Sequence, residues 1–123
     1  MPNILVVDDS SSMREMVSYT LESAGHGVVC AADGAQALEI AADRPEAFDL
    51  VITDINMPVM DGLTLIRELR TLKSYQYRPI LVLSTESSQE TKTAGKAAGA
   101  TGWIVKPFDP DQLLGVVGKV LPQ

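Results

Sequence analysis

The stretch ILVVDDSSSMREMVSYTLESAGHGVVCAA, residues 4–32, sets a long amphipathic segment between two short β-branched runs. Ile4–Val7 and Val28–Ala32 are nearly continuous in hydrophobicity, as strands buried on both faces are. The segment between them reads as a helix. It starts within Ser10-Ser11-Ser12, where each hydroxyl is a capping candidate. Its apolar side is Met13, Met16, Val17, Thr20, Leu21 and Ala24, and Gly25 stops it.

The same alternation repeats outward along the chain. Further strands are expected at Leu50–Thr53, Ile80–Leu83 and Gly102–Val105. A second helix runs from Gly34 to Ala42 after the Asp33-Gly34 turn signal. A third follows Asp61-Gly62 and buries Leu65, Ile66, Leu69 and Leu72. A fourth, Ser88–Ala98, has little apolar stripe. The last opens on Asp109-Pro110, a cap followed by proline at the first helical position. Its face, Leu113, Val116, Val117, Val120 and Leu121, has helical spacing. Five β/α units in a row imply a parallel sheet covered on both sides, and right-handed crossovers make it doubly wound.

Composition narrows the function. A length of 123 residues fits one domain, and 46% hydrophobic residues suffice for a core. A net charge of −6 argues against a nucleic-acid binder. No apolar run approaches the ~20 residues of a membrane span. Met1-Pro2-Asn3 does not open a secretion signal. The one cysteine, Cys30, forbids an internal disulfide and reads as a small buried strand residue. A cytoplasmic protein is expected. Because the chain stops at Pro122-Gln123, just after the last helix, no output domain is expected.

Several strands end on a polar residue: Asp8-Asp9 after the first, Asp54 after the third, Ser84 after the fourth, Lys106 after the fifth. Parallel strands put all these ends on one edge, where such folds bind ligands. Any one of these residues alone is better explained as a helix cap or a solvated charge. Asp33, Asp61 and Asp109 keep the capping explanation. The joint appearance at four strand ends points instead to a site. Three adjacent carboxylates repel unless something positive sits among them. All-oxygen ligands favour a hard cation such as Mg²⁺. A metal and a lysine together suit a phosphoryl group, with one carboxylate as acceptor. His26, the single histidine, lies between glycines and supports no catalytic triad. Gly95 and Gly99 have GxxxG spacing, uninformative in a polar helix.

The pieces VVDDS (6–10), DINMPVMDG (54–62), LSTES (83–87) and GWIVKPF (102–108) together resemble the receiver domain of two-component response regulators. The resemblance spans residues 1–123 and is strongest to single-domain chemotaxis regulators of the CheY type. It implies a flavodoxin-like fold with strand order 2-1-3-4-5 and Asp54 as phosphoacceptor. It further implies that Asp8, Asp9 and Asp54 organise Mg²⁺ with the main-chain carbonyl of Asn56. Ser84 matches the hydroxyl that senses the phosphoryl group, and Lys106 the lysine that contacts it. Lys106-Pro107 matches a peptide that is cis in the family. Asn56 and Glu86 match a pair that tunes dephosphorylation. Trp103 stands where chemotaxis regulators usually carry tyrosine, and is expected to turn inward when Ser84 is drawn to the phosphoryl group. The implied partners are a sensor histidine kinase of the chemotaxis type, a flagellar motor switch protein or other target, and a phosphatase; the protein is expected to be a monomer.

Two rivals use similar chemistry. A phosphorelay intermediate or non-motility adaptor needs the same acidic site. A small Mg²⁺-dependent phosphatase of the haloacid-dehalogenase type carries its aspartyl nucleophile as DxD after the first strand, whereas here Asp8-Asp9 are adjacent. A dimerising transcription regulator would carry arginines on its last helix, which reads LLGVVGKVL.

Overall fold

In the computed structural model, which describes residues 2–121, five parallel strands lie in the order β2-β1-β3-β4-β5. They are β1 (Asn3–Val7), β2 (Gly27–Ala31), β3 (Leu50–Thr53), β4 (Ile80–Ser84) and β5 (Gly102–Val105). Alternating with them are α1 (Ser11–Ser23), α2 (Gly34–Asp43), α3 (Gly62–Thr71), α4 (Gln89–Ala98) and α5 (Pro110–Val120). A short 3₁₀ turn at Lys73–Tyr75, not expected from the sequence, leads from α3 toward β4. Pro122 and Gln123 lie outside the described residues.

The alternation of side chains along each strand builds two apolar layers. Ile4, Val6, Leu50, Ile52, Leu81 and Leu83 face α1 and α5, where Val17, Leu21, Leu113 and Val117 meet them. On the other face Leu5, Val7, Val51, Ile80 and Val82 pack against α2 and α3 through Ala37, Ala41, Leu65, Ile66 and Leu69. Phe48 and Tyr75, both buried, close the end of this layer, and the Tyr75 hydroxyl donates to the Arg44 carbonyl at 2.8 Å. Burial raises the Tyr75 pKa above its ordinary value.

Helix starts follow the capping chemistry of the sequence. Ser10, Asp33, Asp61, Ser88 and Asp109 each accept an amide hydrogen bond at the N-terminus of a helix. Gly99, with φ 117°, closes α4 in the left-handed region.

Three expectations need correction. Cys30 is exposed, because β2 is an edge strand and the thiol sits at the margin of α1, 3.1 Å from the Ser18 hydroxyl. Met16 and Ala24 are exposed and Met13 is half-buried, so α1 seats a narrower stripe of Val17, Thr20 and Leu21. Leu72 is half-buried, since α3 ends before it and the chain turns there.

Candidate functional site

Strand register alone aligns the polar residues. Val7 pairs with Ala31 on one side and Thr53 on the other. The amide of Asp54 continues the ladder to the Val7 carbonyl at 3.0 Å, and that of Asp8 to Ala31 at 3.1 Å. Asp8 and Asp54 therefore leave the sheet side by side. Asp8, Asp9 and Asp54 each bring a carboxylate oxygen within 4.8 Å of the others.

The Lys106 ammonium donates to Asp8 Oδ2 at 2.8 Å and Asp54 Oδ2 at 2.9 Å. Burial alone would lower its pKa, but the two carboxylates outweigh that and hold it above the ordinary lysine value. The remaining carboxylate oxygens are fixed by main-chain amides: Ser10 N–H donates to Asp8 Oδ1 at 2.9 Å, and Ile55 N–H to Asp54 Oδ1 at 2.6 Å. Asp8 and Asp54 are buried and Asp9 is exposed. Three carboxylates outnumber the one ammonium that contacts them, an excess of negative charge that a divalent cation would relieve. With oxygen the only donor element in this cluster, the residues fit a hard cation such as Mg²⁺.

Ser84 adjoins this corner through its carbonyl, which accepts from Lys106 N–H at 2.8 Å. Ser84 is fully buried at the end of β4, its hydroxyl accepting from Glu86 N–H at 3.2 Å. Asn56 and Glu86, on different loops, meet directly: Asn56 Nδ2 donates to Glu86 Oε1 at 3.2 Å. The Lys106-Pro107 peptide is cis. Trp103 projects to the opposite sheet face from Ile104 and packs toward α4, with its indole N–H donating to the Glu86 carbonyl at 2.9 Å.

Other supports were not singled out in the sequence. Arg14, one turn into α1, donates to the Asp8 carbonyl at 2.7 Å and braces the acidic corner from behind. Gly62 starts α3 directly against the Asp54 carbonyl, so close that a Cβ there would collide with it; its N–H donates to Ile55 O at 2.8 Å. Arg70 reaches across from α3 to the carbonyls of Gly99, Tyr75, Gln76 and Arg78, and burial lowers its pKa. The Asp61-Gly62 turn signal marked the helix start, but nothing in it marked the close approach.

The response regulator receiver domain family model matches residues 4–118. The chain belongs to this family. Receiver domains are signalling modules of two-component systems that take a phosphoryl group from histidine kinases and bind Mg²⁺ in the active site. Among similar receivers, a chemotaxis protein CheY homolog from Campylobacter jejuni is 40% identical over 111 residues, 89% of this chain and 85% of that protein. The crystallised chemotaxis protein CheY4 of Vibrio cholerae is 50% identical, with TM-score 0.93 over 98% of this chain and 99% of that one. The receiver domain of sensor histidine kinase PA1611 from Pseudomonas aeruginosa PAO1 has a magnesium ion coordinated in its active site cleft. It is 28% identical, with TM-score 0.89 over 97% of this chain and 96% of that one. No described helix of this receiver is long and apolar enough to cross a membrane.

Proposed function

We propose that this receiver accepts a phosphoryl group on Asp54 and thereby controls a chemotaxis or flagellar-motor target in the cytoplasm. The observation that carries the reading is the Lys106 ammonium bridging Asp8 and Asp54 beside the exposed Asp9. An Asp54 carboxylate oxygen attacks the phosphorus of a phosphohistidine. The phosphorus–nitrogen bond breaks, and its electron pair leaves with the imidazole of the donor. Lys106 offsets the charge that gathers on the transferred oxygens. Asp8, Asp9, Asp54 and the Asn56 carbonyl would hold Mg²⁺, which supplies further charge neutralisation when bound. Asn56 and Glu86, joined by their hydrogen bond, tune hydrolysis of the acyl phosphate. The module turns over no separate substrate; phosphorylation and its reversal act on Asp54 itself. The groove of about 270 Å³ beside Trp103, edged by Lys92 and Lys96, lies on the side that a target would read.

Intact-mass analysis tests the acceptor. Acetyl phosphate with Mg²⁺ should add one phosphate to the wild type, none without a divalent ion, and none to Asp54→Ala. A phosphate adduct of equal yield in Asp54→Ala would sink the assignment. The target is tested by whether a flagellar motor switch protein retains beryllofluoride-treated receiver and releases the untreated form.

Metal linkage gives a separate expectation. Mg²⁺ at a hundred times its dissociation constant should stabilise the wild type by about 2.7 kcal/mol. Asp9→Asn removes one of the negative charges, so it should melt higher than wild type without metal and gain less from Mg²⁺. Identical Mg²⁺ titrations of the two proteins would show that Asp9 does not belong to the metal site.

A further inference from the structure

Gly95 is the only buried residue of α4, and glycine is the poorest helix-interior residue after proline. Its place is explained by what lies on it. A Cβ at Gly95 would stand 2.7 Å from Cζ3 and 3.3 Å from Cε3 of Trp103. The six-membered ring of the indole thus rests directly on the helix backbone. The other end of the ring system is fixed as well, because Nε1–H donates to the Glu86 carbonyl at 2.9 Å. Glu86 in turn donates its amide to the Ser84 hydroxyl. Trp103 is held inward at both ends, by the backbone of α4 and by the Glu86 carbonyl.

We infer that Gly95 is a positioning residue that seats the Trp103 indole, and that the seated ring ties α4 to the Ser84–Glu86 segment. The indole moves with the Glu86 carbonyl, as a rigid link between the segment that contacts the phosphoryl group and the body of α4. The direction of that link rests on the proposed role of Ser84; the seat itself does not. An indole is larger than the phenol usual in chemotaxis regulators, and the absent Cβ is the space it needs. Alanine at 95 favours the helix but evicts the ring.

Trp103 is the sole tryptophan, so its fluorescence reads the seat directly. In metal-free, unphosphorylated wild type, acrylamide should quench it weakly. In Gly95→Ala quenching should rise severalfold with a red-shifted emission, while acetyl phosphate still adds one phosphate to Asp54. Beryllofluoride with Mg²⁺ should shift the emission of wild type and leave that of Gly95→Ala nearly unmoved. Melting provides the coupling test. Gly95→Ala should lower Tm in the wild type but raise it in a Trp103→Leu background, where the smaller side chain leaves room for the methyl group. A rise in both backgrounds with unchanged quenching would overturn the seat, and equal beryllofluoride shifts would overturn the link. Failure of wild type to gain phosphate would instead overturn the reading of Asp54, leaving the metal-free quenching result to stand by itself.

Discussion

Lys106→Met should remove about 3–5 kcal/mol of stability from the metal-free protein, the usual cost of taking one partner from a buried ion pair. Asp8 and Asp54 are 3% and 8% exposed, and the ammonium is the cation in hydrogen-bond contact with both. Without it two carboxylates face each other in a region of poor solvation. Mg²⁺, which the three carboxylates would hold, should restore a large part of the loss by supplying positive charge beside them. Urea melts of both proteins with and without Mg²⁺ check this; equal midpoints in metal-free buffer would mean that the bridge contributes nothing net. The pH dependence follows from the direction of the lysine shift. The folded ammonium keeps its proton above its ordinary pKa of 10.5. The bridge is therefore at full strength below that pH, and its contribution fades as pH rises through the higher folded value.

Gly62→Ala should cost about 3 kcal/mol, the upper end of the overpacking range. The new methyl group would meet the Asp54 carbonyl and the Ile55 Cα, which are backbone atoms at the end of β3 and cannot swing aside. Relief requires α3 to lift off the sheet or the Asp54 peptide to tilt, and either movement misplaces the carboxylate proposed as acceptor. Phosphorylation by acetyl phosphate should slow along with the loss of stability. Gly115→Ala is the matched control, since a Cβ there meets nothing within 4 Å; it should stabilise α5 by up to about 1 kcal/mol. If Gly62→Ala melts like wild type, the close packing of α3 on β3 is not a constraint on the site.

The acidic corner was legible because a parallel sheet makes one rule of many residues: the polar residue after each buried run lands on the same edge. Caps were equally readable, since Asp33 and Asp61 bond the amide three positions on, a local geometry that distant residues do not alter. The exposure of Cys30 was not legible. Its run looks like those of β1 and β3, and only the pairing order makes β2 an edge. Arg70 was hidden for a different reason. On a helical wheel it is an ordinary charged position, and what draws it in is a set of carbonyls converging from two other turns, Gly99 among them at 29 positions away. Gly95 read only as half of an uninformative GxxxG spacing until β5 brought Trp103 onto it. Each of these depends on which neighbour the chain supplies from afar, information that periodicity does not carry.

The bridge from Lys106 to Asp8 joins residues 98 positions apart, nearly the length of the chain. Synthesis delivers the acids first and the ammonium late. Until residue 106 has emerged and β5 has docked, the growing chain carries its acidic corner without the counter-charge, and β4 stands as an open, apolar sheet edge ready to pair with another chain. A product cut short before that point is marked twice over, by unbalanced charge and by an unpaired edge. The last strand works as the clasp of the molecule: its docking covers the β4 edge and delivers the counter-charge in one step.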